Sequence, residues 1–333
     1  MTAKSHDRVQ VVDAERQLIN WLGLGLFAFL GVVAVVPLFL IISDVYIKGI
    51  DAINSLGGLW VFLTELPPTP YDESGGIGPM LVGTLYMTAL GALLGIAVGF
   101  PLGVYIGEMR KEKFANVARA GVNVLVEFPT IVVGLFVYAV MSLAKEDLNR
   151  YMLGPLSNAI SSLGEWTPRF IGPLDNVISL LGEWIPWFIG PLDGFNAYAG
   201  AVALTLIMIP YVALITASAY ASVEQPLREA AYATAGREFN ALFVVLRKAV
   251  SRAVLTAALL GTAKIAGETA PLLFTAFGNF YYAPFTGPTG AVPLWIWYAA
   301  QTPYDVQIVS AYGAAAVLLT IILTIFIIAR IRG

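Results

Sequence analysis

Six stretches of this chain run for 20 or more residues almost free of charge, about the length an α-helix needs to cross a hydrocarbon core. They fall at residues 18–43, 81–107, 120–143, 198–221, 253–277 and 306–329. Pro37 is a possible kink in the first, Glu127 interrupts the third near its start, Lys264 and Glu268 lie within the fifth, and the sixth carries no charge. Composition agrees with membrane burial: 58% of the 333 residues are hydrophobic and 12% charged, against roughly a quarter charged in soluble domains. The expected fold is all-α and integral to the membrane, with six transmembrane helices.

An even number of spans puts both termini on one side. With that side cytoplasmic, most of the 19 basic residues fall inside; Lys48, Lys145, Arg150 and Arg169 lie outside and Lys264 within a span, as the positive-inside rule requires. The reading is a multi-pass protein of the cytoplasmic membrane with both termini cytoplasmic. It divides into a tail at 1–17, a first transmembrane helix at 18–43, an outer loop at 44–76 and a transmembrane domain at 77–330. That domain includes an outer insertion at 144–195 and a cytoplasmic loop at 221–250. The tail holds Asp7, Asp13 and Glu15 and no small-residue cleavage site, so it does not read as a secretory signal. Tyr281, Tyr282, Trp295, Trp297 and Tyr298 fall in the outer connection after the fifth span, where aromatic rings suit the headgroup belt.

Several chemistries are excluded. The chain has no cysteine and one histidine, His6, in the tail, which removes thiolate nucleophiles, disulfides and thiolate metal sites and leaves little for histidine catalysis. No GxxxxGK[ST] phosphate loop is present, so any ATP hydrolysis belongs to a partner. The outer insertion contains a tandem repeat, GPLSNAISSLGEWTPRFI followed directly by GPLDNVISLLGEWIPWFI. Each copy reads as a short amphipathic helix with proline in its first turn. It is an appendage lengthened by local duplication, or else an interfacial or docking surface.

Two features call for a functional account. The first is ASVEQPLREAAYATAGREFNALFVVLRKAVSRA, residues 221–253, read as one or two amphipathic helices flat on the cytoplasmic face. Its small residues at 230, 231, 233 and 235 let a partner approach closely; the bland alternative is an interfacial anchor. The second is TAKIAGETAPLLF, residues 262–274. Each charge costs about 2.5–3.5 kcal/mol to place at a helix centre, whereas an i,i+4 ion pair contributes only about 0.2–0.5 kcal/mol in an isolated helix. Mutual neutralisation of Lys264 and Glu268 does not offset that cost, and a place on a transport pathway is the better default. Pro271 would leave the Gly267 carbonyl without its helical donor and bend the helix. Glu127 is a second pathway candidate, or an interfacial carboxylate.

REAAYATAG, from Arg228 to Gly236, resembles the signature of the membrane subunits of ATP-binding-cassette importers. GGIGPMLVGTLYMTA, FPLGVYIGE, EFPTIVVGLFVYA and above all AGETAPLLFTA resemble, in order, the PstA-type permeases of phosphate importers. The chain departs from that family at Lys264, where arginine is usual, at Glu127-Phe128, where two small apolar residues are usual, and at Ala235, where glycine is usual. The resemblance implies a type I importer (MetI-like) permease fold with a cytoplasmic coupling helix. It implies that Glu229, Ala230, Ala231 and Gly236 dock an ATPase, and that Lys264, Glu268, Thr269 and Pro271, with Glu127, shape the substrate path. It further implies a PstC-type sister permease as heterodimer partner, two cytoplasmic ATPase subunits that bind ATP and Mg, and an external phosphate-binding protein. The chain itself would hold no cofactor or metal and would touch membrane lipid but no nucleic acid. Molybdate or sulfate is the nearest alternative substrate, and a proton-coupled secondary carrier using Glu268, Glu127 and Lys264 is the alternative mechanism.

Overall fold

A computed structural model describes residues 3–153 and 192–332, with Pro155, Asn158 and Phe188. The tandem repeat therefore lies almost wholly outside the described residues. Among those described the chain is helical without a strand; Phe277 and Thr289 form one isolated bridge.

Helix α1, Ala3–Ser55, continues well past residue 43. Asp44 and Lys48 lie within it and pair one turn apart at 2.9 Å. Two successive glycines in left-handed conformation, Gly57 at φ 112° and Gly58 at φ 86°, stop it. From Trp21 to Ile41 α1 turns its apolar side chains outward, and its last third packs on the body: Tyr46 Oη lies 3.0 Å from Thr320 Oγ1, and Gly49 abuts Ala316 and Tyr312. Short α2, Gly58–Thr64, then leads to the central helices.

The centre is the pair α3, Gly78–Glu108, and α6, Ala197–Ala221, the most extensive helix contact in the molecule. Gly91, Gly95, Gly99, Gly103 and Gly107 of α3 fall at every fourth position and all face α6. A Cβ at Gly103 would lie 2.6 Å from the Ala213 carbonyl oxygen, and one at Gly107 2.7 Å from that of Ala217. Such a stripe lets two backbones meet, the main source of helix association where lipid is as apolar as the side chains. Around it gather Met87, Leu204, Met208, Val212, Ile265 and Leu272.

Two expected spans are broken. The third consists of α4, Lys113–Glu127, and α5, Thr130–Leu148, bent by 105°. Pro129 holds Phe128 in extended backbone, φ −70° and ψ 130°, because its ring excludes the helical conformation of the residue before it. The fifth is α8, Arg247–Ala266, followed by α9, Ala270–Thr275, rather than one helix across 253–277. Between α6 and α8 lie α7, Gln225–Ala235, and a π-helical turn, Ala241–Leu246, that runs directly into α8. Short α10, Val292–Ala299, and long α11, Asp305–Arg332, complete the order. By length and composition four described helices can cross a membrane, five if the bent pair counts as one.

One aromatic differs from expectation. Trp295 is 1% exposed and donates its indole N–H to Ser310 Oγ at 3.0 Å, so it belongs to the core between α10 and α11. Tyr281, Tyr282, Trp297 and Tyr298 are exposed.

Candidate functional site

The break in the fifth span is built by its own sequence. Gly267 leaves the helical region at φ −97°, ψ 3° and ends α8. Pro271 sits in the first turn of α9, where its missing N–H is no loss and its fixed φ suits a helix start. The Thr269 carbonyl accepts the first amides of the new helix, Leu272 N–H at 3.1 Å and Leu273 N–H at 3.3 Å. Thr269 and Pro271 thus shape the turn that carries Glu268.

Lys264, in the last turn of α8, forms an ion pair with Glu268 across this break. The two are unequally placed: the Glu268 side chain is 9% exposed and that of Lys264 42%. The ammonium also lies 6.0 Å from the ring centre of Tyr211 on α6, at the outer edge of cation–π range. The arrangement is a half-exposed cation backed by a buried carboxylate, set at the break that follows the charge-free run 253–263 of α8. An anion reaching the open side of Lys264 meets its charge first and Glu268 behind it.

Helix α5 fixes the far side of the break. A Cβ at Gly134 would lie 2.6 Å from both the Cα and the carbonyl oxygen of Pro271, so the two backbones touch there. Ile131, Val132, Leu135, Phe136 and Val140 of α5 remain exposed. Glu127 ends α4 just before the 105° bend and is exposed. Among the described residues no hydrogen bond or ion pair joins it to Lys264 or Glu268.

The residues expected to dock an ATPase divide between two faces of α7. Ala231 is buried at 2% exposure against Val104, Tyr220, Leu242 and Leu246. Glu229 and Ala230 face outward, and Gln225 donates its amide to Glu229 at 2.9 Å. Gly236 follows at φ 68°, the left-handed conformation that closes a helix and that glycine adopts without a Cβ penalty. The glycine one position later than usual therefore performs the capping.

Three features escaped sequence reasoning. Arg228 pairs with Glu108, at the end of α3, with 3.1 Å between Nε and Oε2. The directed bonds run through Nη2, to Glu108 Oε1 at 3.2 Å and the Tyr220 carbonyl at 2.8 Å. Burial and the neighbouring Glu108 charge hold the Tyr232 phenol above its ordinary range. The signal available was a carboxylate closing the apolar run FPLGVYIGE, where it needs a partner. The fourfold glycine spacing of α3 was equally visible. The third, Tyr220, donates its hydroxyl to the Leu242 carbonyl at 3.0 Å and left no mark in the sequence.

Comparison with known proteins places this geometry in context. The family described as "Binding-protein-dependent transport system inner membrane component" matches residues 99–332. A probable phosphate transport system permease protein PstA of Methanocaldococcus jannaschii is 34% identical over 300 residues, 90% of this chain and 88% of its own length. The PstA of Haemophilus influenzae is 27% identical over 318 residues, 95% of this chain and 94% of the relative. A solved chain of the inward-facing MetNI methionine ABC transporter aligns at a TM-score of 0.50 and 16% identity, covering 75% of this chain and 93% of that one. At that identity the likeness concerns the fold alone.

Proposed function

The chain belongs to the family of binding-protein-dependent transport system inner membrane components, and within it to the PstA-type permeases; on that premise we propose that it is the permease subunit through which an ATP-driven importer moves inorganic phosphate across the cytoplasmic membrane. It has no catalytic site of its own in this reading. A PstC-type sister permease covers the exposed apolar faces, two ATPase subunits that bind ATP and Mg seat on the outward face of α7, and an external binding protein delivers phosphate. Both termini are cytoplasmic.

The observation that carries the reading is the break at Gly267–Thr269, which sets buried Glu268 against half-exposed Lys264. Lys264 attracts the anion as a point charge. Glu268, when ionised, only accepts hydrogen bonds, so it favours an oxyanion that still carries a P–OH proton over sulfate, which has none at neutral pH. Thr269 and Pro271 set the turn, and Glu127 lines the approach at the bend between α4 and α5. Closure of the ATPases displaces α7, and because the π-helical turn continues without a loop into α8, the displacement reaches Lys264.

The test is labelled-phosphate uptake by the complex of permeases, ATPases and binding protein in proteoliposomes. ATP-dependent uptake competed by phosphate and not by sulfate or molybdate is expected. Uptake by this chain alone under a proton gradient would replace the proposal with a secondary carrier.

A further inference from the structure

The coupling helix meets the membrane body at two kinds of contact, and they differ in what they can transmit. Ala231 packs in an apolar cluster with Val104, Tyr220, Leu246 and Val250. Apolar burial is non-directional, so contacts of that kind tolerate sliding. The second contact is Arg228, whose guanidinium reaches two helix ends at once: the Glu108 carboxylate at the end of α3 and the Tyr220 carbonyl in the last turn of α6. The Glu108 side chain is 3% exposed and that of Arg228 14%. A carboxylate at a helix C-terminus opposes the helix dipole, so α3 itself offers Glu108 no compensation and the cation from α7 supplies it. Both directed bonds leave one nitrogen, Nη2, whose two N–H groups lie in the rigid guanidinium plane, so the carboxylate and the carbonyl are held at a fixed angle to each other as well as at a fixed distance. Buried ion pairs add little net stability compared with apolar packing, so holding the helix ends together is not what distinguishes this one.

We infer that Arg228 and Glu108 form the rigid joint through which movement of the coupling helix is delivered to α3, making both positioning residues for transport. The inference rests on the importer reading above and adds the route by which force enters the spans. The joint fixes α7 to α3, and Gly103 and Gly107 of α3 lie directly against α6 at Thr216 and Tyr220. Tyr220 in turn bonds the Leu242 carbonyl in the π-helical turn that leads into α8. One joint therefore ties the ends of α3 and α6 and the start of α8 to α7.

The experiment uses the whole importer in proteoliposomes and measures phosphate moved per ATP hydrolysed. Arg228→Gln and Glu108→Gln are expected to insert, to retain the ATPases on purification and to keep basal ATP hydrolysis, while phosphate moved per ATP falls about tenfold. The charge exchange E108R/R228E should recover most of that loss. Because the chain has no cysteine, E108C/R228C gives the only thiol pair within it. Bridging it with a short bis-maleimide should restore coupling that the unbridged variant lacks. A wild-type ratio in the glutamine variants would overturn the joint, as would failure of both the exchange and the bridge to restore it, or loss of ATPase binding with the ratio intact. A wild-type complex that hydrolyses ATP and moves no phosphate overturns the phosphate reading alone. The joint is then read from ATP-driven movement of a spin label at exposed Val98 on α3, present in wild type and expected to vanish in Arg228→Gln; persistence there would refute it.

Discussion

Replacing Gly134 with alanine tests whether the break in the fifth span is held by backbone contact with α5. The added Cβ would stand 2.6 Å from the Cα and carbonyl oxygen of Pro271 and 2.9 Å from its carbonyl carbon, against 3.4 Å for ordinary contact. All three are backbone atoms, so no side chain can swing aside, and α5 and α9 must part by about 0.8 Å. Overpacking of this kind costs about 1–3 kcal/mol, offset by about 0.5–1 kcal/mol for removing a glycine from a helix interior. The net penalty, about 0–2.5 kcal/mol and centred near 1 kcal/mol, falls on the state in which the break is closely packed, and its centre corresponds to a population change of about fivefold. The assay is phosphate uptake per assembled complex, with thermal stability in detergent measured in parallel. Gly121→Ala is the control, since a Cβ there meets nothing within 4 Å; it should be neutral or slightly stabilising. If Gly134→Ala matched Gly121→Ala in both uptake and stability, the account of the break would be wrong.

Two further substitutions separate stability from coupling. Asn196, 1% exposed, accepts from the Ala199 amide at 2.8 Å and donates to the Asp193 carbonyl at 2.9 Å. Asn196→Ala removes this cap of α6, at a cost of about 1 kcal/mol for the cap alone, and should lower the melting temperature of the purified chain by a few degrees; an unchanged melting curve would refute the role. Ala230→Trp adds bulk on the outward face of α7, where folding should be affected by no more than about 0.5 kcal/mol, yet ATPase co-purification and uptake should both be lost. Normal co-purification would count against docking on that face.

The uninterrupted spans were legible because α3, α6 and α11 are long runs almost free of charge, within which α3 and α6 accommodate Pro101 and Pro210. The breaks were less so. Pro129 and Pro271 were both visible, but a proline inside an apolar run reads equally as a kink or as the first turn of a new helix. What decides is whether neighbouring backbone fills the gap, as Gly134 does against Pro271. The Lys264–Glu268 pair was visible as a violation of membrane burial; its unequal exposure was not, because that depends on Tyr211 and the packing of α6. Arg228 and Glu108 are 120 positions apart, and no local pattern joins them. Gly236 could be read as displaced from its usual place, and the structure shows that the cap moved with it.

Lys264, backed by Glu268, is proposed above as the charge that phosphate meets on its way through the chain. The direct measurement is ATP-driven phosphate uptake by the reconstituted complex carrying Lys264→Gln or Lys264→Arg, with basal ATP hydrolysis recorded on the same vesicles. The glutamine variant is expected to lose uptake by about tenfold or more while ATP hydrolysis continues, and the arginine variant to transport. Uptake by Lys264→Gln at the wild-type rate would contradict it.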